Sequence, residues 1–257
     1  MVSDYLIYSA PQGSEAWHEA RAGVITASMF STVCKKVNGL TAQQEIYVKS
    51  IRSGKTEAQA RDDAGYKTSP RAEVINKAIN GEAVGDWSEA TLNYAFRLAV
   101  ERISGKALDE GFETWAMRRG SELEPEARLI HEIRSKLLVD EVGFVSTPDR
   151  FFGASADGIA SDGAGCEYKC FIAPEKLRAF WFDFDAAEVM HQIQGGMWIT
   201  GLKKWHVGVY CPDLKPAKKE LWLKTFDRDD DFIEQMELTL LEFNALVESY
   251  KKRLLEN

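Results

Sequence analysis

The chain has 257 residues, of which 45% are hydrophobic, 11% aromatic and 28% charged, a composition that excludes disorder or a fibrous repeat as its main organisation. At about 150 residues per domain, this length fits one large domain or one domain carrying an insertion. Lys plus Arg number 32 against 40 Asp plus Glu, a formal net charge of −8, so bulk positive charge cannot hold a nucleic acid and any polyanion would need a locally basic groove.

No apolar run approaches the roughly 20 residues of a membrane span, and MVSDYLIYSAPQGSE lacks the basic-then-apolar layout of a signal peptide. The expectation is a cytoplasmic protein with no membrane partner. Cys34, Cys166, Cys170 and Cys211 form no C-x-x-C pair, which predicts reduced thiols and neither a zinc knuckle nor an iron–sulfur site.

In chain order, Glu15–Lys36 alternates and then turns helical, with Trp17, Val24, Ile25, Phe30 and Val33 facing inward. Ser88 caps a helix whose stripe is Leu92, Ala95, Phe96, Ala99, Val100 and Ile103, ending near Gly105. A further helix is predicted from Glu113 to Lys136, with Pro125 either starting a new helix or kinking this one, and Glu124 beside the irregularity. Short apolar runs from Leu137 to Tyr210, punctuated by Asp, Gly, Ser and Pro, read as a sheet, with a helix at Ala186–Trp198 and a last strand at Glu220–Thr225. Phe232, Met236, Leu240, Phe243, Val247, Tyr250 and Leu254 form a closing amphipathic helix, acidic at its start and basic at its end. Residues Leu40–Val84 stand apart as a polar helical segment. They have the size and turn chemistry of a helix-turn-helix unit that touches DNA or a partner, but short three-helix stretches are common and a plain helical insertion is the favoured reading. Their mixed charges do not decide between the two.

Chemistry concentrates in Ser155-Ala156-Asp157-Gly158 and Glu167-Tyr168-Lys169. Strand alternation puts Glu167 and Lys169 on one face and Tyr168 on the other, and the Gly/Ser/Asp-rich Ile159–Gly165 is long enough for a hairpin that sets Asp157 beside Glu167. Two carboxylates and the Tyr168 carbonyl make a hard-oxygen site for Mg²⁺ or Mn²⁺, not zinc. A lysine beside such an ion suits phosphodiester hydrolysis; the bare pattern also arises where Glu and Lys are merely solvated neighbours.

Four blocks carry a resemblance: Trp17 to Ser28, Gly120-Ser121-Glu122-Leu123-Glu124-Pro125-Glu126-Ala127-Arg128, the Ser155–Gly158 and Gly165–Cys170 pair, and His191-Gln192-Ile193-Gln194 leading to Met197-Trp198. Together, and in this order, they resemble the phage lambda exonuclease family, the YqaJ-like viral recombinases of the PD-(D/E)xK nuclease superfamily. The fold implied is α/β (α+β): a central mixed β-sheet flanked by helices, a restriction-endonuclease-like core, here one nuclease domain over 1–257 with the 40–84 helical insertion within it.

By the same resemblance Asp157, Glu167 and the Tyr168 carbonyl are metal ligands, Lys169 the catalytic lysine, and Glu124 a helix-borne glutamate for a second ion or its waters. Arg21, Ser28, Ser155 and Gln192 match positions that recognise the terminal 5′-phosphate. The implied activity is Mg²⁺-dependent 5′→3′ degradation of one strand of linear double-stranded DNA, leaving a 3′ single strand for recombination by annealing. The implied partners are a homotrimeric ring and a single-strand annealing protein. The alternatives are a structure-specific or restriction-type endonuclease with the same site, and a DNA-binding recombination protein without catalysis. Ala156 stands where the family motif has proline, and Asp149 does not align with the family's extra acidic residue. The histidines and tryptophans read mainly as structural.

Overall fold

The computed structural model describes residues 5–82, 84–108, 115–170 and 177–256. The chain falls into two compact units, Met1–Cys34 with Asn93–Asn257, and Lys35–Leu92. The first begins with β1 (Leu6–Tyr8), α1 (Glu15–Arg21), β2 (Ile25–Thr26) and α2 (Ala27–Cys34).

The second unit contains α3 (Ala42–Arg52), α4 (Glu57–Asp63) and α5 (Glu73–Ile79). Thr41 with Gln44 and Thr56 with Gln59 close capping boxes that start α3 and α4. Tyr47, Val48, Ala60, Ala64, Ile75 and Ala78 form a core of this unit's own. Four residues join α3 to α4, the spacing of a helix-turn-helix, but α4 exposes Glu57, Asp62 and Asp63 beside a half-buried Arg61. Asp63 already takes the Lys55 ammonium and the Ser50 hydroxyl.

α6 (Glu89–Ser104) begins within the second unit's residues and runs on into the first. The first unit continues with α7 (Trp115–Ser135), β3 (Val139–Asp140), β4 (Phe144–Ser146), β5 (Phe152–Ser155), β6 (Gly158–Ala160) and β7 (Gly165–Cys170). It closes with α8 (Ala187–Thr200), β8 (Lys204–Tyr210), β9 (Leu221–Asp227) and α9 (Asp230–Leu255). The α/β class with flanking helices is as predicted. The strands divide between two mixed sheets, however, in the orders β1-β4-β5-β2 and β3-β6-β7-β8-β9. β2 runs parallel to β5 and β7 parallel to β8, the other pairs being antiparallel. Only Ala156 and Asp157 separate β5 of one sheet from β6 of the other.

Both faces of the second sheet are covered. On one, Leu123 and Ala127 of α7 pack with Cys166, Tyr168, Tyr210 and Leu221. On the other, Val189, Ile193 and Met197 of α8 pack with Trp205, Val207 and Val209. A glycine pair lets α8 come this close: an added Cβ at Gly195 would strike the Phe30 ring of α2, and one at Gly196 the Trp205 ring. Gln192, one turn earlier, is thereby brought against β7.

Several expectations are corrected. α7 is continuous through Pro125; the predicted start at Glu113 lies outside the described residues. The buried face of α6 is Tyr94, Ala95, Leu98 and Ala99, while Phe96 and Ile103 are 49% and 42% exposed. The stripe is rotated because the Tyr94 hydroxyl goes inward to accept the Thr26 N–H at 3.3 Å, with its ring stacked on Phe243. Trp205 and Trp222 are buried, but Trp115 is 67% exposed. All four cysteines are free, as expected.

Trp205 lies against Gly165 as well as Gly196, and a Cβ at Gly165 would overlap three atoms of its indole. Gly165→Ala should destabilise the protein by about 1–3 kcal/mol. Gly120→Ala, in α7 with nothing near its would-be Cβ, should stabilise it by about 0.5–1 kcal/mol. Urea midpoints that move in the same direction for both would contradict this packing account.

Candidate active site

Asp157 is placed by the hairpin its sequence foretold. Its N–H donates to the Cys166 carbonyl at 3.0 Å and Gly158 pairs with Cys166, which sets Asp157 across from Glu167. Its Oδ2 accepts the Tyr168 N–H at 2.6 Å. Within a strand the N–H and C=O of one residue leave on the same side, so the Tyr168 carbonyl also opens toward Asp157, along the stretch of β7 that the three-residue β6 does not cover.

Glu167 and Lys169 project from the other face toward α8. Glu167 is 3% exposed. Its Oε1 accepts from Lys169 Nζ and from Gln192 Nε2, both at 2.7 Å, while Gln192 Oε1 takes a second Lys169 N–H at 2.9 Å. Its Oε2 is buried with no hydrogen-bond donor, a deficit of about 1–3 kcal/mol if left unmet. Glu124 projects from α7 with its carboxylate 3.7 Å from Arg128, which also pairs with Glu141.

These groups repel one another. Burial, and after it the charges of Glu167 and Glu124, push the Asp157 carboxyl well above the usual carboxylate range. Burial raises Glu124 too, with Arg128 opposing and Glu167 and Glu141 adding. Burial works against the Lys169 charge, yet Glu167, by its charge and its hydrogen bond, outweighs it and holds the ammonium above its ordinary value. An orphaned carboxylate oxygen, a second carboxylate and a carbonyl on the same strand edge fit a hard divalent cation. Among the described residues no three His, Cys, Asp or Glu side chains gather into a metal-binding group. The third protein oxygen of such a site would therefore be the Tyr168 carbonyl, with Glu124 standing off.

Two clefts share Asp157. The larger, about 1140 Å³, is lined by Arg21, Arg97, Glu124 and Arg128 among others. The smaller, about 150 Å³, is lined by Gln12, Trp17, Arg21, Thr26, Ala27, Ser28, Ser155, Asp157 and Gln192. Arg21, Ser28, Ser155 and Gln192, drawn from α1, α2, β5 and α8, are thus brought to one place beside Asp157. Ser14 caps α1, the Arg21 guanidinium lies over the Trp17 ring at 3.9 Å, and Trp17 Nε1 donates to Ser155 Oγ at 3.1 Å.

Sequence reading missed Gln12 and Thr26 and took Trp17 for core alone. Thr26 Oγ1 lies 3.2 Å from Ser28 Oγ, a pairing that the Thr26-Ala27-Ser28 spacing could have suggested. Gln12 donates to the Ala156 carbonyl at 2.8 Å across 144 residues, for which the sequence carries no signal. Asp149 accepts from Thr147 Oγ1 and the Phe151 N–H within its own turn and takes no part in the site.

The family model and the solved structures that match make this chain a deoxyribonuclease, a hydrolase with a PD-(D/E)xK-like fold. The YqaJ-like viral recombinase domain matches residues 16–203, and the chain belongs to that family. The structure is similar to an alkaline exonuclease, LHK-Exo, from Laribacter hongkongensis, at 25% identity and TM-score 0.64 over 94% of this chain and 96% of that one. LHK-Exo in complex with dAMP matches at 24% identity and TM-score 0.66 over the same shares. A phage-related exonuclease from Haemophilus somnus 129PT shares the fold at 13% identity and TM-score 0.54, over 90% of this chain and 94% of that one. No curated protein sequence matches the chain.

Because Asp157 is half-buried and feels the charges of two other carboxylates, Asp157→Asn should stabilise the metal-free protein, by about 1 kcal/mol. Its amide oxygen can still accept the Tyr168 N–H. A lower urea midpoint for this variant in chelator would show that the repulsion is not there.

Proposed function

We propose that the protein is a divalent-metal-dependent 5′→3′ exonuclease that degrades one strand of linear double-stranded DNA from a 5′-phosphorylated end, leaving a 3′ single strand for phage-type recombination. The observation that carries this is the 150 Å³ pocket, in which an arginine, three hydroxyls and two amides converge beside Asp157, one of the candidate metal carboxylates. A terminal phosphate seated there lies at a set distance from the reacting bond, which favours action at ends over action within a duplex.

Asp157, Glu167 and the Tyr168 carbonyl would hold Mg²⁺, or Mn²⁺, with Glu124 serving a second ion or its waters. When bound, the ion polarises a phosphoryl oxygen and lowers the pKa of its water. Lys169, held by Glu167 and Gln192, positions the attacking water and offsets charge developing on the phosphoryl group. Arg21 grips the terminal phosphate with its planar fork, while Ser28, Ser155 and Gln192 complete the hydrogen bonds. Gln192 lines the pocket and also bridges Glu167 and Lys169, so one side chain joins phosphate recognition to the lysine. The relative solved with dAMP suits a mononucleotide product. A homotrimeric ring, a single-strand annealing partner and a single nuclease domain carrying the helical unit as an insertion follow from the family resemblance, and a cytoplasmic location from the sequence's lack of an apolar span or signal-peptide layout. Among the described residues no helix is long and apolar enough to cross a membrane.

Digestion of a 5′-phosphorylated linear duplex and of a closed circle, each with Mg²⁺ or with chelator, tests the reading. Mononucleotides from the linear substrate alone, and only with metal, are expected; cutting of the circle would assign an endonuclease. Lys169→Ala should slow degradation by about 10²–10³-fold with DNA binding retained, and undiminished activity would remove the site. Arg21→Ala should abolish the preference for 5′-phosphate over 5′-hydroxyl ends, measured as the ratio of the two rates. A wild type that shows no such preference would remove the pocket assignment.

A further inference from the structure

We propose that the buried hydrogen bond between His131 and Tyr168 positions the candidate metal site, tying the helix that carries Glu124 to the strand that carries Glu167 and the Tyr168 carbonyl. The inference rests on the metal-site reading above and adds His131 as a positioning residue that touches neither ion nor DNA.

His131 is fully buried, and its Nδ1 lies 2.7 Å from the Tyr168 hydroxyl. It stands seven residues after Glu124 on α7, two turns and about 10 Å along the same face. Leu123 and Ala127 of α7 add apolar packing with Cys166 and Tyr168. Apolar contacts allow a helix to slide and roll by small amounts, whereas a hydrogen bond is directional. His131 is braced from behind: its ring packs edge-on against His206 with centroids 5.2 Å apart. His206 in turn bonds Thr225 Oγ1 at 2.8 Å and Asp162 Oδ2 at 3.1 Å.

At the other end of the bond, Tyr168 is the residue whose N–H orients Asp157 and whose carbonyl shares that edge. Anchoring its ring fixes the peptide planes on both sides of its Cα, and with them two of the oxygens offered to the ion. The bond joins the helix that carries Glu124 directly to the strand that carries Glu167. Elsewhere α7 is tied to β9 and β3, by Arg134 to the Leu221 carbonyl at 2.6 Å and by Glu132 to the Val139 N–H at 2.8 Å, whereas the His131 bond is the one made to Tyr168 of β7.

The test compares the full-length wild type with His131→Phe, Tyr168→Phe, the double variant and His131→Asn, whose amide can stand near the former Nδ1. Mn²⁺ binding is measured by calorimetric titration without DNA, and kcat and KM on a phosphorylated linear duplex. Each Phe variant should weaken Mn²⁺ about tenfold and lower kcat with KM for DNA little changed. The double variant should be no worse than either single one, since both remove one bond, and His131→Asn should recover part of the loss. Tyr168→Phe, isosteric in the core, keeps the test valid if His131→Phe fails to fold. Phe variants with wild-type Mn²⁺ affinity and kcat, or losses that multiply in the double variant, would overturn the inference alone. A wild type that binds no Mn²⁺ would overturn the metal-site reading, and this inference with it.

Discussion

Glu167 lies 3% exposed in the middle of β7, one carboxylate oxygen shared between Lys169 and Gln192 and the other with no donor at all. Burying a carboxylate so incompletely satisfied is costly, and the surrounding fold is arranged to hold it there. α8 reaches β7 because Gly195 and Gly196 allow it to settle against Phe30 and Trp205. Gln192 then completes the hydrogen bonds that keep Lys169 and Glu167 in register. The unmet oxygen, with Asp157 and the Tyr168 carbonyl beside it, is an arrangement a divalent cation would complete.

The two faces of β7 divide the labour. The α8 face carries Glu167 and Lys169, the groups assigned to chemistry. The α7 face carries Cys166 and Tyr168, embedded among Leu123, Ala127 and Tyr210. Burial pushes the Cys166 thiol up to about 12 and, with the adjacent His206, pushes His131 down to about 4, so this face is held by neutral groups. Tyr168 belongs to both halves: its side chain is anchored among the neutral groups and its peptide borders the carboxylates.

Charge takes on a different meaning at this level. A net charge of −8 speaks against diffuse attraction to DNA, but Arg21, Arg97 and Arg128 line the cleft that opens on Asp157 and Glu124. Each of these cations has a local brace: Arg21 lies over Trp17, Arg97 over Tyr94, and Arg128 pairs with Glu124 and Glu141. The same cleft is lined by Glu101, Glu124, Glu141 and Asp157, so basic and acidic groups are interleaved there and the arginines offer local attraction only.

Much of the plan is local and therefore legible in the chain alone. Strand alternation places Glu167 and Lys169 together, the Gly/Ser/Asp-rich Ile159–Gly165 turn brings Asp157 opposite, and the 3.6-residue stripe of the last helix buries Met236, Leu240, Phe243 and Val247 as read. Periodicity and turn chemistry act over a few residues, so sequence determines them. It could not say that the strands would divide between two sheets at Ala156–Asp157, that Tyr94 would turn α6 by one position, or that His131 would meet Tyr168. Nor could it bring Gln12 to the Ala156 carbonyl, 144 residues away. Such pairings depend on how whole helices and sheets pack, where shape, burial and unmet hydrogen bonds across distant segments decide the partner, and only the tertiary structure settles them.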